Sequence, residues 1–417
     1  MKIAVFSIHS CPMSQLGTQK NGGMSVYVRE IGRELGRRGH VVDIYTGWRD
    51  GDHRAVMELG DGVRLFHLTG SRGSPSSYRE VYSLLPDYFL ELEGHLEREN
   101  RSYDLVHSHY WLSGVMGEWA RERWNLPHAL MFHTIGAAKN DSHPEEQEPE
   151  LRLQMEKELA RSCTRVLATT EQEKRSIVQH CNTTPGRVRV VPCGVDLERF
   201  RSLERSAARR RLGIGERDRI LLFVGRFAPI KGIDRLISAM ANLKHRDDVR
   251  LILVGGDGPD APETLRFKQQ VRALGIGGNV EFAGRVPQEG LPAYYAAADA
   301  LVIPSYYESF GLVVLEALAC GTPVLAAPVG VVEELLQDPA LGRILPDMSP
   351  PRLAESIERY LSWLENHRPS ASQIRSSVLH LEWSKMADAL LEQYWEILKL
   401  GGVEQEESLD RLGGESR

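Results

Sequence analysis

The chain has 417 residues, 42% of them hydrophobic and 26% charged, with 51 Lys and Arg against 57 Asp and Glu for a net charge of −6. That apolar fraction supports a packed core and excludes disorder, collagen and a disulfide-stapled miniature fold, while about 100–200 residues per domain makes two domains the expectation. The acidic balance argues against a nucleic-acid coat or a polybasic membrane binder and leaves local anion sites open. Five scattered cysteines (Cys11, Cys163, Cys181, Cys193 and Cys320) form no C-x-x-C pair; they read as small buried residues in a reducing compartment. The opening apolar run is of strand length, too short for a signal peptide, and no run of about 18 apolar residues exists to cross a membrane. The chain reads as cytoplasmic, with no transmembrane segment.

In chain order, short β-branched runs alternate with segments of helical period, the pattern of parallel α/β sheets. The first series of strands is expected at Lys2–Ile8, Val41–Tyr45, Val63–Leu68, Asp104–His107, Ala129–His133, Val166–Thr169 and Val188–Val191. A solvated linking helix rich in Arg, Ala and Glu follows at Arg201–Leu212. A second series is expected at Arg219–Gly225, Arg250–Gly255, Val280–Ala283, Ala300–Pro304, Pro323–Ala327 and Arg343–Leu345. The two series imply two doubly wound domains, 1–198 and 199–378, with an amphipathic helix at 384–398 completing the first. Gly401 and Gly402 should stop that helix, and the acidic tail 401–417 has no apolar face and reads as disordered.

Ligands of such sheets sit beyond the carboxyl ends of strands. Four loops there are chemically loaded. The first ends Asn21-Gly22-Gly23-Met24 before a helix expected near Ser25; paired glycines admit a ligand, although a flexible turn explains them equally well. The second carries Arg226 and Lys231, five residues apart, which can grip a diphosphate from two sides. The third holds Glu308 before a helix starting around Phe310–Gly311 and Glu316 inside it. Glu308 could simply complement the helix dipole, but Glu316 lies among Val313, Val314, Leu315, Ala317 and Leu318 and needs a partner such as a ribose diol. The fourth group is His107, His109, Tyr110 and Trp111 with Phe132, His133 and Thr134. Its histidines read as hydrogen-bonded residues rather than metal ligands, since no carboxylate completes a coordination set.

Taken together, GGMSVYV, HSHYWLSG, FHT, GRFAPIKG and YESFGLVVLEALACGTPV resemble the family-4 retaining glycosyltransferases of the GT-B fold, with Glu308 and Glu316 matching the family's E-x7-E signature. The likeness runs from Lys2 to about Leu398. The first half is most similar to the mycothiol-pathway N-acetylglucosaminyltransferases, and sucrose-synthesising relatives share the scheme. The resemblance implies an α/β GT-B fold, two Rossmann-like doubly wound domains facing a cleft, the second binding the donor. It implies transfer of glucose or N-acetylglucosamine from a UDP-sugar, which is substrate rather than cofactor, to a small hydroxylated acceptor that can carry phosphate. No cofactor, metal or nucleic acid is implied, and a homo-oligomer is left open.

By the same resemblance, Arg226 and Lys231 hold the diphosphate and Glu316 the ribose hydroxyls. Glu308 and the backbone of Phe310, Gly311 and Leu312 hold the sugar and phosphates, Gly23 approaches the donor phosphate, and His133 stands beside the transferred sugar. Arg285 lies where the base is held. Ser25, Tyr110, Thr134 and Arg152 match acceptor contacts, with Arg79 a further candidate anchor for an acceptor phosphate. Catalysis would be electrostatic, with cations and helix N–H groups stabilising the leaving diphosphate. The alternatives are a sucrose or sucrose-phosphate synthase-like enzyme and a catalytically inactive nucleotide-sugar-binding regulator.

Overall fold

The computed structural model describes residues 1–14, 22–47, 55–70, 75, 77–143 and 147–414, the side chains of 401–414 excepted. Asn21 of the first loaded loop and the end of the tail, 415–417, fall outside the described residues. The chain divides into two compact units, Met1–Ser14 with Met24–Pro192 and Trp383–Arg417, and Gln15–Gly23 with Cys193–Glu382.

The first unit is built on eight strands: β1 Lys2–Phe6, β2 Val41–Gly47, β3 Val56–Gly60, β4 Val63–Leu68, β5 Leu105–His109, β6 His128–Met131, β7 Arg165–Ala168 and β8 Val188–Val190. Their order is β3-β4-β2-β1-β5-β6-β7-β8, parallel throughout except that β3 runs antiparallel to β4. The second unit has β9 Arg219–Val224, β10 Val249–Val254, β11 Val280–Gly284, β12 Ala300–Ile303, β13 Val324–Ala326 and β14 Gly342–Ile344. Here the order is β11-β10-β9-β12-β13-β14, all parallel. The central strands carry continuous apolar runs because helices cover both faces of a parallel sheet; Ile220, Leu221 and Leu222 of β9 are fully buried, as are Ala300, Leu301 and Val302 of β12.

Strand order fixes where a ligand can sit. In the first sheet the chain winds outward from β1 to β4 and then returns to start again at β5, so the order reverses between β1 and β5. In the second sheet it reverses between β9 and β12. Neighbouring βα loops diverge at such a point and leave a crevice at the carboxyl ends.

Several local expectations shift. The strand β3 has no counterpart in the sequence reading; its Val56–Gly60 run shows alternate half-burial, the signature of an edge strand with one face covered. The linking helix is shorter, Arg205–Leu212, and not wholly solvated. Arg209 is 1% exposed and meets Asp299, which Arg205 and Arg368 also reach. The last helix spans Trp383–Gly414, running through Gly401 and Gly402 rather than stopping there; two glycines cost a helix about 1 kcal/mol each, while the Glu and Gln residues around them are good helix formers. All five cysteines are buried thiols. Among the described residues no helix is long and apolar enough to cross a membrane.

Candidate active site

At the reversal of the second sheet, the loop after β9 and the loop after β12 bring the loaded residues together. A short turn, Pro229–Lys231, ends in Gly232 at φ 65°. A Cβ there would stand 2.0 Å from the Pro304 carbonyl oxygen, so the close approach of the two loops requires glycine. Lys231 Nζ donates to Glu308 Oε1 at 2.7 Å, and the Ser305 hydroxyl donates to the same oxygen at 2.8 Å. Arg235 braces the second loop, its Nε donating to the Pro304 carbonyl at 2.6 Å and its guanidinium lying 3.9 Å from the centre of the Tyr306 ring. Arg226 follows β9 directly and is half-buried.

The helix Leu312–Ala319 is capped by Gly311 at φ 96°, a left-handed conformation costly for any residue with a Cβ. Phe310 is buried and its carbonyl accepts from Val331 N at 2.8 Å, which fixes the backbone leading into the helix. Gly311 and Leu312 remain half-buried, at a helix start whose N–H groups favour an anion. Glu316 is 7% exposed and accepts from the Tyr295 hydroxyl at 2.7 Å. Burial pushes its carboxyl up to about 7, against the opposing pull of the Tyr295 hydrogen bond and the Arg199 charge. Tyr295 is itself held by burial well above the ordinary phenol range, so it remains a donor. Arg285 stands exposed just past the edge strand β11.

At the reversal of the first sheet, the ends of β5 and β6 carry a histidine cluster. His109 Nδ1 and His133 Nε2 share a hydrogen bond of 2.8 Å, and both rings lie edge-on to Tyr27, at 5.5 and 5.4 Å. The His107 ring sits 4.2 Å from that of His109, and its Nδ1 meets the Tyr394 hydroxyl at 2.7 Å. Burial pulls His133 down to about 3; His107 falls equally far, through burial first and then the neighbouring imidazoles. The cluster is therefore neutral at physiological pH. His133 and Tyr110 both adopt positive φ, 60° and 76°, Tyr110 directly after β5 and His133 two residues past the end of β6.

The acceptor candidates divide. Tyr110, Thr134 and Arg152 form one cluster: the Arg152 guanidinium lies 4.8 Å from the Tyr110 ring centre, and its Nη2 donates to both the carbonyl and hydroxyl of Thr134 at 2.8 Å. Arg152 is only 2% exposed, however, and pairs with Glu148 and Glu156 at 2.9 and 2.6 Å. In this arrangement it positions Thr134 and Tyr110 rather than presenting its charge outward. Ser25 is fully buried, its hydroxyl 2.6 Å from that of Ser10. Gly23 opens the helix Gly23–Arg37, and Arg79 sits exposed in the first turn of the helix Tyr78–Glu99. The sequence reading missed Tyr295, Ser305 and Arg235; a tyrosine in the alanine-rich stretch Ala293–Ala298 was the one available hint to the first.

Two doubly wound units with cationic, carboxylate and imidazole groups gathered at their switch points define a glycosyltransferase of the GT-B fold. Residues 21–199 match the family described as Glycosyltransferase Family 4, and residues 204–374 that described as Glycosyl transferases group 1. The chain is 37% identical over 404 residues to a D-inositol 3-phosphate glycosyltransferase of Geodermatophilus obscurus, covering 94% of this chain and 89% of that protein. It is also 37% identical over 402 residues to the enzyme of that name from Nocardiopsis dassonvillei, covering 94% of each. Among solved structures, sucrose-phosphate synthase from Thermosynechococcus elongatus aligns with a TM-score of 0.88 and 30% identity, over 96% of this chain and all of that one. The chain belongs to the family-4 glycosyltransferases and is a hexosyltransferase.

Proposed function

We propose that this chain moves glucose or N-acetylglucosamine, with retention, from a UDP-sugar to a phosphorylated polyol, inositol phosphate being the first acceptor to test. The observation that carries the reading is the second unit's switch point, where Lys231 on the loop after β9 pairs with Glu308 on the loop after β12, and Glu316 stands in the helix that this second loop enters. Breaking a glycosyl–phosphate bond loads negative charge onto the diphosphate. Lys231 and Arg226 with the N–H groups at Gly311 and Leu312 would stabilise that charge as it grows. Glu308, orienting Lys231 in the free protein, would turn to the sugar hydroxyls once phosphate takes the ammonium. Glu316 would receive the ribose hydroxyls. A neutral His133 can accept from or donate to a sugar hydroxyl without adding charge beside an oxocarbenium-like sugar. The attack would come from the face the diphosphate leaves, the departing phosphate oxygen taking the acceptor proton.

On the first unit, Tyr110 and Thr134 would meet the acceptor, held in place by Arg152. The relatives named D-inositol 3-phosphate glycosyltransferase favour an inositol phosphate acceptor, whereas the sucrose-phosphate synthase likeness favours a hexose phosphate. Purified protein incubated with UDP-N-acetylglucosamine or UDP-glucose, against inositol 3-phosphate or fructose 6-phosphate, separates the two by product mass. The expected product is the glycoside of inositol phosphate. Product with fructose 6-phosphate alone selects the second reading, and no product from any combination refutes both.

A further inference from the structure

A basic pocket lies at the amino ends of β7 and β8, the end of the first sheet opposite the histidine cluster. It is a half-open depression of about 270 Å³ lined by Arg121, Ser162, Thr164, Arg165, Gly186 and Arg187, with Leu400 at its side. Thr164 and Arg165 stand at the amino end of β7, and Arg187 immediately precedes β8. The histidine cluster lies at the carboxyl ends of β5 and β6, so the length of a four-residue strand, about 13 Å at ~3.3 Å per residue, separates the two faces.

The charge here is unbalanced. Arg165 is 7% exposed; its Nη1 donates to the Gly186 carbonyl at 2.9 Å, while its Nε is buried with no partner. Arg187 repeats the arrangement, with Nη2 on the Cys163 carbonyl at 2.7 Å and a buried, unpartnered Nε. Among the described residues neither guanidinium has a carboxylate within ion-pair distance, although each carries five donors. Arg189 adds a third positive charge, bonded to the same Gly186 carbonyl at 3.1 Å. The facing acids are largely committed: Glu118 and Glu122 pair with Arg121 at 2.6 and 3.9 Å. Glu396 favours the charge of Arg165 without forming an ion pair, while burial and Arg189 oppose it. A buried guanidinium without a counter-charge is costly, and a planar fork beside a cavity suits a phosphate oxygen pair.

We infer that this pocket is a second, non-catalytic site for the phosphate group of a small soluble metabolite. The anion would be held by Arg165 and Arg187 with the hydroxyls of Ser162 and Thr164 at its rim. At about 270 Å³ the space is near the lower end of small-ligand pockets, ~300 Å³, and larger than a bare phosphate needs. A monophosphorylated sugar or polyol fits the charge and the volume.

The test is calorimetric titration of the full chain with glucose 6-phosphate while saturating UDP occupies the donor site, comparing wild type with Arg187→Gln and Ser162→Glu. Ser162 is exposed at the end of the helix Glu150–Ser162, so the second variant places a repelling carboxylate at the rim without touching the buried network. The expected result is binding that each variant weakens about tenfold or more, with the transfer rate and unfolding midpoint of Ser162→Glu unchanged. Inorganic phosphate binding as tightly as the sugar phosphate, with the same sensitivity, supports the site and names free phosphate as its occupant. No binding, binding indifferent to both substitutions, or variant-sensitive binding only to vesicles containing anionic lipid would overturn the inference.

Discussion

Replacing Glu316 by Gln should make the ligand-free second unit more stable at alkaline pH while weakening its hold on the donor. A carboxyl moved from its ordinary 4.5 to about 7 carries about 3 kcal/mol against its ionised form, at ~1.4 kcal/mol for each tenfold change in the proton equilibrium. Between pH 4.5 and about 7 the folded carboxyl keeps a proton that the unfolded chain has released, so stability falls as pH rises through that window and levels off above it. Gln has no proton to lose, and its oxygen still accepts from the Tyr295 hydroxyl. The variant should therefore lie close to wild type near pH 5 and exceed it by up to about 3 kcal/mol at pH 8. The readout must be confined to the second unit, because Glu173 of the first unit is also pushed by burial to about 7 and titrates in the same window. Urea titrations followed by hydrogen exchange of peptides from β9 and β12 at both pH values meet that need. UDP affinity should fall about tenfold to a hundredfold in the variant, as a charged hydrogen-bond acceptor is replaced by a neutral one. An equal stability gap at the two pH values, or a wild type more stable at pH 8, would refute the reasoning.

Lys231→Ala should lower kcat/KM about 10²–10³-fold, the loss typical of one charge-stabilising donor, with little change in unfolding midpoint because the Lys231–Glu308 pair retains 17% and 13% exposure; a wild-type rate at saturating donor would sink its assignment. With His133 and His107 near 3, no imidazole of the cluster should titrate between pH 5 and 8 in an NMR titration. The acid limb of the rate profile should instead vanish in Glu316→Gln, and a His133 resonance moving near pH 6.5 would contradict this. Arg152→Ala should destabilise the first unit by about 3–5 kcal/mol by leaving the buried Glu156 without its counter-charge. Arg152→Lys should recover only part of that, since one ammonium cannot serve Thr134, Glu148 and Glu156 together; a loss under about 1 kcal/mol by denaturant unfolding would show the network to be dispensable.

The sheets were legible because parallel strands buried on both faces write themselves as apolar runs, and β9 with Ile220–Phe223 is such a run. Edge strand β3 was not, since Val-Met-Glu-Leu-Gly is half-exposed and too short for its alternation to stand out. Glu316 was legible for the same reason that makes it expensive: a lone carboxylate in an apolar helix has to be there for a ligand or a partner. The partner, Tyr295, came from 21 residues upstream on a separate helix, and nothing local in the sequence points across that gap. Arg152 shows the opposite failure. Its position in the motif order suggested an anchor for the acceptor, but whether an arginine faces outward depends on the acids that folding brings to it, here Glu148 and Glu156.

Backbone strain marks two of the first unit's proposed site residues independently of any motif. Among the described residues, five other than glycine have positive φ. Three are asparagines, Asn100, Asn125 and Asn182, each closing a helix in the left-handed region that asparagine tolerates. The other two are Tyr110 and His133, aromatic residues for which a positive φ costs about 1–3 kcal/mol each. Tyr110, at φ 76° and ψ 156°, occupies a region otherwise left to glycine. Such strain persists only where surrounding contacts over-determine it. Tyr110 is held by its N–H on the Met131 carbonyl at 2.8 Å, by the His9 ring at 4.1 Å and by the Arg152 guanidinium; His133 is held by His109 and Tyr27. Both strained residues follow adjacent strands, β5 and β6, at the sheet's reversal. A chain selected for stability alone would have placed glycine or asparagine at these two turns. Under the proposed function, in which Tyr110 would meet the acceptor and His133 the transferred sugar, keeping a tyrosine and a histidine there would have a physical reason, and the buried Arg152 network would hold that geometry in place.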